Sequence, residues 1–476
     1  MEKTAIEFTT AIGLEMCKAV LLVRIALLLC IFATLGATRV PAQTPAIDTA
    51  KAQQYFAEAK ALSDKDNGAL WKVPLCGPLL FVDPNTRSAV ANQADAEGNL
   101  KPLDRVFLGI APPELGVANT ATKWAGVEWT MVMWPLPQYK QSRLRLIMHE
   151  CFHRVQSQIG LQGKDAQNGH LDSLDGRIWL QMEWRALEHA FWQQGKEQRE
   201  DIFDAIYFRN YRRSLFPAAQ ANEDALEMNE GMAEYTGFRL STSSREEYAL
   251  VVAAWLRAAA TRTPSYVRSF AYTSGPAYGG LLDNAVLPWG ARDLNIRKDW
   301  RKGLTPATDL GELLARSYAL KAPAASALNK AEALRRAERY DGGEVVEIET
   351  EREAKHQARV AAARKAFVDG PVLTIPVGQE FNYRFDPNAV LALDDKLTLY
   401  EGEIQVSDVW GLLKTTEGAL LVRGDKGFVR VQVPAPLDAA KTPLTGKGWM
   451  LELNPHWQVL PEGRPGDFAV RQKSTP

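Results

Sequence analysis

The sequence changes its hydrophobic period near Gly370, and this change most limits the folds that the chain can adopt. From residue 143 to 322, apolar residues recur at the three- and four-residue steps of amphipathic helices. After Gly370, short runs rich in β-branched and aromatic residues alternate with Gly and Pro. A chain that separates helices from strands in this way is predicted to be α+β, with a small all-β sandwich or barrel domain over 370–476.

Length and composition set the remaining bounds on domain organisation. A chain of 476 residues with 46% apolar and 24% charged residues is typical of a globular protein with two or three domains. We expect a sheet-containing part over 43–142, a helical part over 143–325 and a charged, solvated helical connector without a binding role over 326–369. The predicted strands of the first part are PLLFVD, DRVFLGIA and GVEWTMVMWPLP, after a helix AIDTAKAQQYFAEAKAL. The net charge of −1 excludes the basic field of a nucleic-acid-binding protein.

The first 42 residues predict an export signal. Lys18 precedes the strongly apolar run and Arg24 interrupts it, and the uninterrupted stretch from 25 to 35 is shorter than the ~20 residues of a stable anchor. Val40-Pro41-Ala42 offers the small residues of a cleavage site. We therefore expect cleavage after residue 42 and a periplasmic or extracellular protein, with an uncleaved anchor as the alternative. The mature form is expected not to associate with a membrane.

Cleavage would leave two cysteines, Cys76 and Cys151. Two cysteines do not define a disulfide framework, and each is typical of a small buried hydrophobic residue. Whether the two form a pair stays open at this point.

The sequence features that carry chemistry are concentrated in the run RLRLIMHECFHRVQSQIG. Because residues four apart lie on one face of a helix, His149 and His153 can bind one Zn²⁺ together, with Glu150 beside them as general base. A separate apolar face is expected to be buried, and it comprises Leu144, Met148, Cys151, Val155 and Ile159. Two ordinary histidines on a structural helix are the alternative.

Zinc in such a site needs a third protein ligand. A metzincin would place Gly and His three and six residues after the second histidine, where this chain has Gln156 and Ile159, so that class is excluded. The segment ALEMNEGMAEYTG places Glu230 and Glu234 one turn apart, so one carboxylate could bind the metal and the other could support a histidine. Competing candidates closer in sequence are Glu183, His170, Asp172 and Asp175.

These motifs resemble the gluzincin metallopeptidases, the thermolysin-like and aminopeptidase-N-like enzymes, in which HExxH is followed by a helix carrying Asn-Glu-Gly-x-Ala. The resemblance implies a thermolysin-like catalytic domain over 43–325, with Glu230 as the third zinc ligand. It also implies that Glu234 supports a histidine ligand and that Asn229 lies beside the site. The spacing between the two motifs is longer than in familiar members, and inserted helices over about 164–222 would account for it.

A further similarity to aminopeptidase-N-like enzymes lies in SFAYTSGPAYGGLLD. Those enzymes carry Tyr-x-x-Gly at a helix start, and the resemblance implies that Tyr272 binds the oxyanion of the reaction. Tyr278, or a tyrosine that only packs, is the alternative. The Gly-x-Met-Glu-Asn loop of those aminopeptidases is missing from the sequence, since Gly126-Val127-Glu128 is a poor match. The strand over 124–134 could instead be a sheet edge that pairs with an extended peptide.

The sequence therefore predicts an exported zinc metallopeptidase that binds one Zn²⁺ per chain and hydrolyses peptide or protein substrates. The alternative is a non-catalytic, zinc-containing binding or surface protein on the same scaffold. A closed site with four protein ligands would favour that alternative, whereas an open fourth position favours the enzyme.

Overall fold

The computed structural model describes residues 47–163, 166, 168–285, 300–386, 389–438 and 441–473. The predicted export segment lies outside these residues. Among the helices that are described, none combines the length and the apolarity needed to cross a membrane. The described residues form two compact units: the first contains 47–58 and 78–136, and the second contains 59–77 and the described residues after 136.

Helices and strands occupy different stretches of the chain, so the fold class is α+β. The α-helices are α1 (Thr49–Asp66), α2 (Lys140–Gln156), α3 (Leu174–Trp192), α4 (Gly195–Leu215), α5 (Ala219–Leu226), α6 (Met232–Ser241), α7 (Arg245–Arg262), α8 (Tyr266–Asn284), α9 (Leu310–Ser317), α10 (Lys330–Ala337) and α11 (Gly342–Arg364). The strands are β1 (Leu79–Val82), β2 (Ser88–Ala91), β3 (Lys101–Leu103), β4 (Val106–Ile110), β5 (Thr120–Trp124), β6 (Val127–Met133), β7 (Val372–Pro376), β8 (Asn382–Phe385), β9 (Val390–Ala392), β10 (Leu397–Tyr400), β11 (Ile404–Asp408), β12 (Gly411–Thr415), β13 (Ala419–Gly424), β14 (Gly427–Pro434), β15 (Leu444–Gly446), β16 (Trp449–Leu453), β17 (Trp457–Pro461) and β18 (Phe468–Gln472).

The first unit contains a six-stranded sheet in the order β3-β4-β2-β1-β6-β5. β6 is an interior strand, parallel to β1 on one side and antiparallel to β5 on the other. The prediction that residues 124–134 form a sheet edge is therefore wrong. Ala125 and Gly126 both have positive φ angles, as two-residue hairpin turns require, and this turn places β5 at the edge. Trp129 of β6 is fully buried, as befits an interior strand.

The second unit is built around α2. The predicted apolar face is largely confirmed, because Leu144, Met148, Cys151 and Val155 are buried, while Ile159 is half-buried beyond the helix end. The face that carries the histidines is also covered, since His149 and Glu150 are each only 4% exposed. α6 packs closely against α2, and a Cβ added at Gly237 would lie 2.6 Å from the carbonyl oxygen of Arg145.

The C-terminal strands form two sheets, in the orders β17-β18-β7-β14-β13-β10-β9 and β15-β16-β12-β11-β8. Side chains from both sheets share one core, among them Ile375 and Val431 of the first sheet and Val406 and Leu413 of the second. The two sheets pack face to face, as in a β-sandwich. The run IQVSDVWGLL is two strands, β11 and β12, which pair as an antiparallel hairpin.

The predicted connector is more than a solvated segment. Glu349 of α11 is 1% exposed and accepts hydrogen bonds from Arg177 and Gln181 of α3. Ala363 and Phe367 pack against the outer face of the seven-stranded sheet. The charge pattern of α11 therefore contains a buried ion pair that joins it to the helical part, alongside exposed charges.

Candidate metal centre

His149 and His153 lie side by side on α2 with their Nε2 atoms 3.1 Å apart. The helical spacing of four residues accounts for this, because it stacks the two rings on one face. The rings meet almost edge to face, with centroids 4.9 Å apart. Together with Glu150, they offer three ligand atoms that all lie within 4.8 Å of one another.

Each histidine is held by an acceptor at its other ring nitrogen. His149 Nδ1 lies 2.7 Å from Glu234 Oε2, and His153 Nδ1 lies 2.9 Å from Gln156 Oε1. A carboxylate and an amide oxygen only accept, so both Nδ1 atoms carry a hydrogen, and Nε2 is the nitrogen that presents an electron pair when a ring is neutral. The amide orientation of Gln156 follows from its Nε2 atom, which donates to the carbonyl oxygen of Leu161 at 2.8 Å.

Glu230 completes the arrangement from a second segment. It lies in a π-helical turn, Glu227–Gly231, between α5 and α6. Its Oε2 atom is 3.5 Å from Nε2 of His149 and 3.4 Å from Nε2 of His153. Asn229 lies beside it, with Nδ2 3.5 Å from Glu230 Oε1, and also accepts from Gln156. We call His149, Glu150, His153 and Glu230 the metal cluster.

The donor atoms of the metal cluster have the spacing of a tetrahedral zinc site. Zn–N and Zn–O bonds of about 2.0–2.1 Å in tetrahedral geometry separate the donor atoms by about 3.3–3.4 Å. The three separations among the two Nε2 atoms and Glu230 Oε2 are 3.1, 3.4 and 3.5 Å. Two imidazoles and one carboxylate are also donors that suit Zn²⁺. The residues present therefore fit this ion.

The electrostatics of the metal cluster favour a positive charge at the convergence point. Burial lowers the pKa of His149, but hydrogen bonds with Glu230 and Glu234 outweigh it and raise the pKa to about 10. The same contacts with the histidines hold the pKa of Glu230 well below its usual range, against the effect of burial. A proton supplies the charge in the metal-free molecule, and a metal cation can take its place.

Glu150 is buried beside the histidines and is incompletely hydrogen-bonded. Among the described residues, its Oε2 atom has no hydrogen-bond partner. Burial raises the pKa of Glu150, and the nearby histidines only partly offset this. A buried carboxylate with a free oxygen and a raised pKa is suited to accept and return a proton near neutral pH.

Tyr272 reaches the metal cluster from α8. Its hydroxyl donates to Glu230 Oε2 at 2.5 Å, and its ring stacks on His149 with centroids 5.4 Å apart. The expected helix start is wrong, because α8 begins at Tyr266, after the capping residue Ser265, and Tyr272 lies inside the helix.

Gly275, one turn beyond Tyr272, explains how α8 comes so close to the π-helical turn. A Cβ added at Gly275 would lie only 2.3 Å from the Cα of Gly231. Gly275 therefore requires glycine for this close approach of two backbones, whereas a Cβ at Gly231 would lie 3.1 Å from the Cα of Gly275. Gly275 acts in this packing contact and not at a helix start.

The other residues considered as the third metal ligand form interactions elsewhere. Glu183 is fully buried and pairs with Arg209 and Arg212. The alternative tyrosine, Tyr278, donates to Glu183 at 2.7 Å. Of the remaining candidates, His170 pairs with Glu223, Asp172 accepts from the backbone N–H of Tyr266, and Asp175 lies in the first turn of α3.

Glu183 belongs to a second set of buried charges, which we call the arginine cluster. Its members are Glu183, Arg209, Arg212, Arg213, Glu223, Asp224, Glu227 and Asp309. The side chains of Arg209 and Arg212 have no exposed surface. Each guanidinium contacts at least two carboxylates, as buried charges require.

Two supporting residues were missed by the sequence analysis. Gln156 orients His153, although the sequence analysis used it only to exclude the metzincins. Arg145 pairs with Glu234 at 3.1 Å, and its guanidinium carbon lies 4.7 and 4.4 Å from the ring centroids of Phe238 and Trp255. Both residues lie one turn from a histidine on α2, so helical spacing alone could have suggested them.

Comparison of the sequence with models of known protein families finds no match, and comparisons with curated proteins and with solved structures find no significant match.

Proposed function

We propose that this protein is an exported zinc-dependent peptidase with a thermolysin-like catalytic domain of the gluzincin type. The observation that carries the proposal is the convergence of two imidazole nitrogens and the Glu230 carboxylate on one point, next to the buried carboxylate of Glu150. His149, His153 and Glu230 would hold the ion. The other protein groups then have separate tasks.

A bound zinc ion would act as a Lewis acid that polarises the scissile carbonyl and makes water a better nucleophile at neutral pH. Glu150 would take a proton from the attacking water and deliver it to the leaving amine. Glu234 and Gln156 would keep both histidines in the tautomer that leaves Nε2 free. Tyr272 would donate to the oxyanion of the tetrahedral intermediate, exchanging Glu230 for the substrate oxygen.

The proposed substrate is a peptide or protein outside the cytoplasm, and neither nucleic acid nor a membrane is a proposed partner of the mature form. A non-catalytic zinc-containing binding or surface protein is the competing function. The orphaned oxygen of Glu150 favours the peptidase, because a structural zinc site needs no adjacent carboxylate held ready for a proton.

The test combines metal analysis of the mature protein with digestion of a peptide library. We expect one Zn²⁺ per chain and cleavage of peptide bonds. The variant Glu150→Gln should keep its zinc and lose at least ~10²-fold in hydrolysis, the lower end of the effect of a general base. The matched control is Glu347→Gln, the same change at an exposed position of α11, which should leave both unchanged.

Unchanged hydrolysis in Glu150→Gln would contradict the proposed role of this residue. Bound zinc without cleavage of any peptide by the parent protein would favour the binding-protein alternative. A folded parent protein that takes up no zinc would contradict both functions.

A further inference from the structure

The two cysteines of the mature chain lie on the side of α2 that faces away from the metal cluster. Cys151 is two residues from each histidine, which places it about 200° away around the helix. It is completely buried, whereas Cys76, in the segment between α1 and β1, is half-buried. The sequence alone could not show that these residues meet, because 74 residues separate them.

Arg154 holds the segment around Cys76 against the face of α2 that carries Cys151. It follows Cys151 by three residues, so the two side chains are neighbours on the helix. Its Nη2 atom donates to the carbonyl oxygen of Leu75 at 2.8 Å. A Cβ added at Gly77 would lie 2.6 Å from the same atom, so the guanidinium touches both neighbours of Cys76.

A second contact holds Cys76 from its other side. Its backbone N–H donates to the Ser63 hydroxyl at 2.9 Å. Both flanking residues and its own backbone are thus held, and the Cys76 side chain lies within the influence of Cys151, whose thiol lowers the pKa of the Cys76 thiol. Proximity of two cysteines on held segments of backbone is the first condition for a disulfide, and the sequence alone could not show it.

We propose that Cys76 and Cys151 form a disulfide that joins the segment before β1 to the metal-bearing helix. The two cysteines are not joined by a disulfide in the structure, which describes the reduced form. The bond would form in the oxidising environment outside the cytoplasm, by exchange with a small-molecule or protein disulfide. The proposal is independent of zinc binding and of peptidase activity.

The exchange begins at Cys76, the more accessible thiol. The hydrogen bond from Cys151 lowers the pKa of the Cys76 thiol, burial opposes this, and Arg154 lowers the pKa further. The Cys76 thiolate attacks one sulfur of the external disulfide and releases the other as a thiolate. Cys151 then attacks Cys76 in the mixed disulfide and displaces the second thiol. The protein loses two protons and two electrons, and the external disulfide is reduced to two thiols.

The bond would act on the unfolded chain and on α2 together. It closes a long loop, and a cross-link of that kind stabilises the folded state by restricting the unfolded one. It also fastens the rear face of the helix that positions both histidines. Reduction should therefore make the metal-bearing helix easier to unfold.

The test uses the full mature protein, incubated with oxidised glutathione or with excess dithiothreitol and digested with trypsin without reduction. We expect a cross-linked product of peptides 73–87 and 146–154 after oxidation, lighter than the sum of the two peptides by two hydrogen atoms. Dithiothreitol should abolish this product. The oxidised protein should also melt a few degrees above the reduced one.

The control variant is Cys76→Ser, which changes a half-buried residue and should leave the fold intact. Its melting temperature should not depend on the redox reagent. Recovery of both cysteines in the parent protein as free thiols or as separate glutathione adducts would overturn the proposal. An unchanged melting temperature with the cross-link present would contradict its stabilising role.

Discussion

The metal cluster and the arginine cluster contain similar buried carboxylates but balance their charge in different ways. In the arginine cluster, three guanidinium groups pair with five carboxylates. In the metal cluster, Glu150 and Glu230 lie beside two imidazoles, and the guanidinium of Arg268 lies 3.4 Å from Glu230 Oε1. The Arg268 side chain is 53% exposed, so it neutralises little of the buried charge.

This difference shows what each cluster can do. A guanidinium is always charged, so the chain itself supplies permanent positive charge to the carboxylates of the arginine cluster. An imidazole can instead present an electron pair, and two such rings beside buried carboxylates offer a place where a cation from outside the chain could bind. The two clusters therefore differ in the source of the positive charge beside their carboxylates: permanently charged arginines in one, and titratable imidazoles that could give way to a bound ion in the other.

The strongest test breaks the arginine cluster. Arg209→Met removes a fully buried guanidinium and leaves the carboxylates of Glu183 and Glu227 without one of their partners. We expect a loss of about 3–5 kcal/mol in the free energy of unfolding, the effect of breaking a buried ion pair. Urea denaturation followed by circular dichroism would measure it.

The matched control for that change is Arg335→Met, which removes a guanidinium from the exposed pair with Glu332. This variant should unfold at nearly the same urea concentration as the parent protein. An equal loss of unfolding free energy in both variants would mean that a buried ion pair of the arginine cluster contributes no more stability than an exposed one.

The second test asks which carboxylate serves the metal. Glu230→Gln removes a charged donor from the convergence point, and we expect it to weaken zinc binding by more than the ~10–100-fold that loss of a supporting partner costs. Glu183→Gln should leave zinc affinity nearly unchanged but lower stability, since its carboxylate pairs with Arg209 and Arg212. Competition with a chromophoric chelator measures both affinities, and the reverse ranking would refute the assignment.

The sequence predicted the parts of this contrast that depend on local spacing. The pair His149 and His153 follows from the repeat of a single helix, and the strands after Gly370 follow from period-two patterns. The need for a third ligand pointed to the pair Glu230 and Glu234, but the choice of Glu230 came from a family resemblance, because no local rule relates residues on separate helices. The contact between Cys76 and Cys151 was left open for the same reason.

Other features depend on neighbours that the sequence pattern does not reveal. The residues of β6 alone favour an edge strand. The hairpin turn at Ala125 and Gly126, where φ is positive, lets β5 pair with β6 and take the edge position. Tyr272 lies within α8 because that helix begins at the Ser265 cap, before the Tyr-x-x-Gly segment. The burial of Glu349 depends on Arg177, which belongs to a distant helix.

A third test removes the residues that support His149. Glu234→Ala should reduce zinc affinity by ~10–100-fold, because the ring loses the acceptor that fixes its tautomer. Arg145→Met should cost less, since Arg145 acts only through Glu234. Isothermal titration calorimetry measures both. If Arg145→Met lowers zinc affinity more than Glu234→Ala does, Arg145 does not act through Glu234.

A last test concerns how the stability of the metal-free protein depends on pH. Because His149 has a pKa raised to about 10, its charged form adds stability that is complete below about pH 6.5. This stability is lost as the pH rises from there through about 10. The melting temperature of the metal-free parent should fall more over this range than that of His149→Gln. Parallel curves would contradict the raised pKa.

The π-helical turn at Glu227–Gly231 has a consequence for how this chain could change in length. A π turn contains one residue more than an α turn, and removal of one residue would rotate everything after it by about 100°. Glu227 now points to Arg209 and Glu230 to the histidines, and a rotation of that size would separate one of them from its partners. The extra residue of the π turn thus lets one short segment direct Glu227 to the arginine cluster and Glu230 to the metal cluster. Deletions in this segment should be far less tolerated than deletions in an exposed loop.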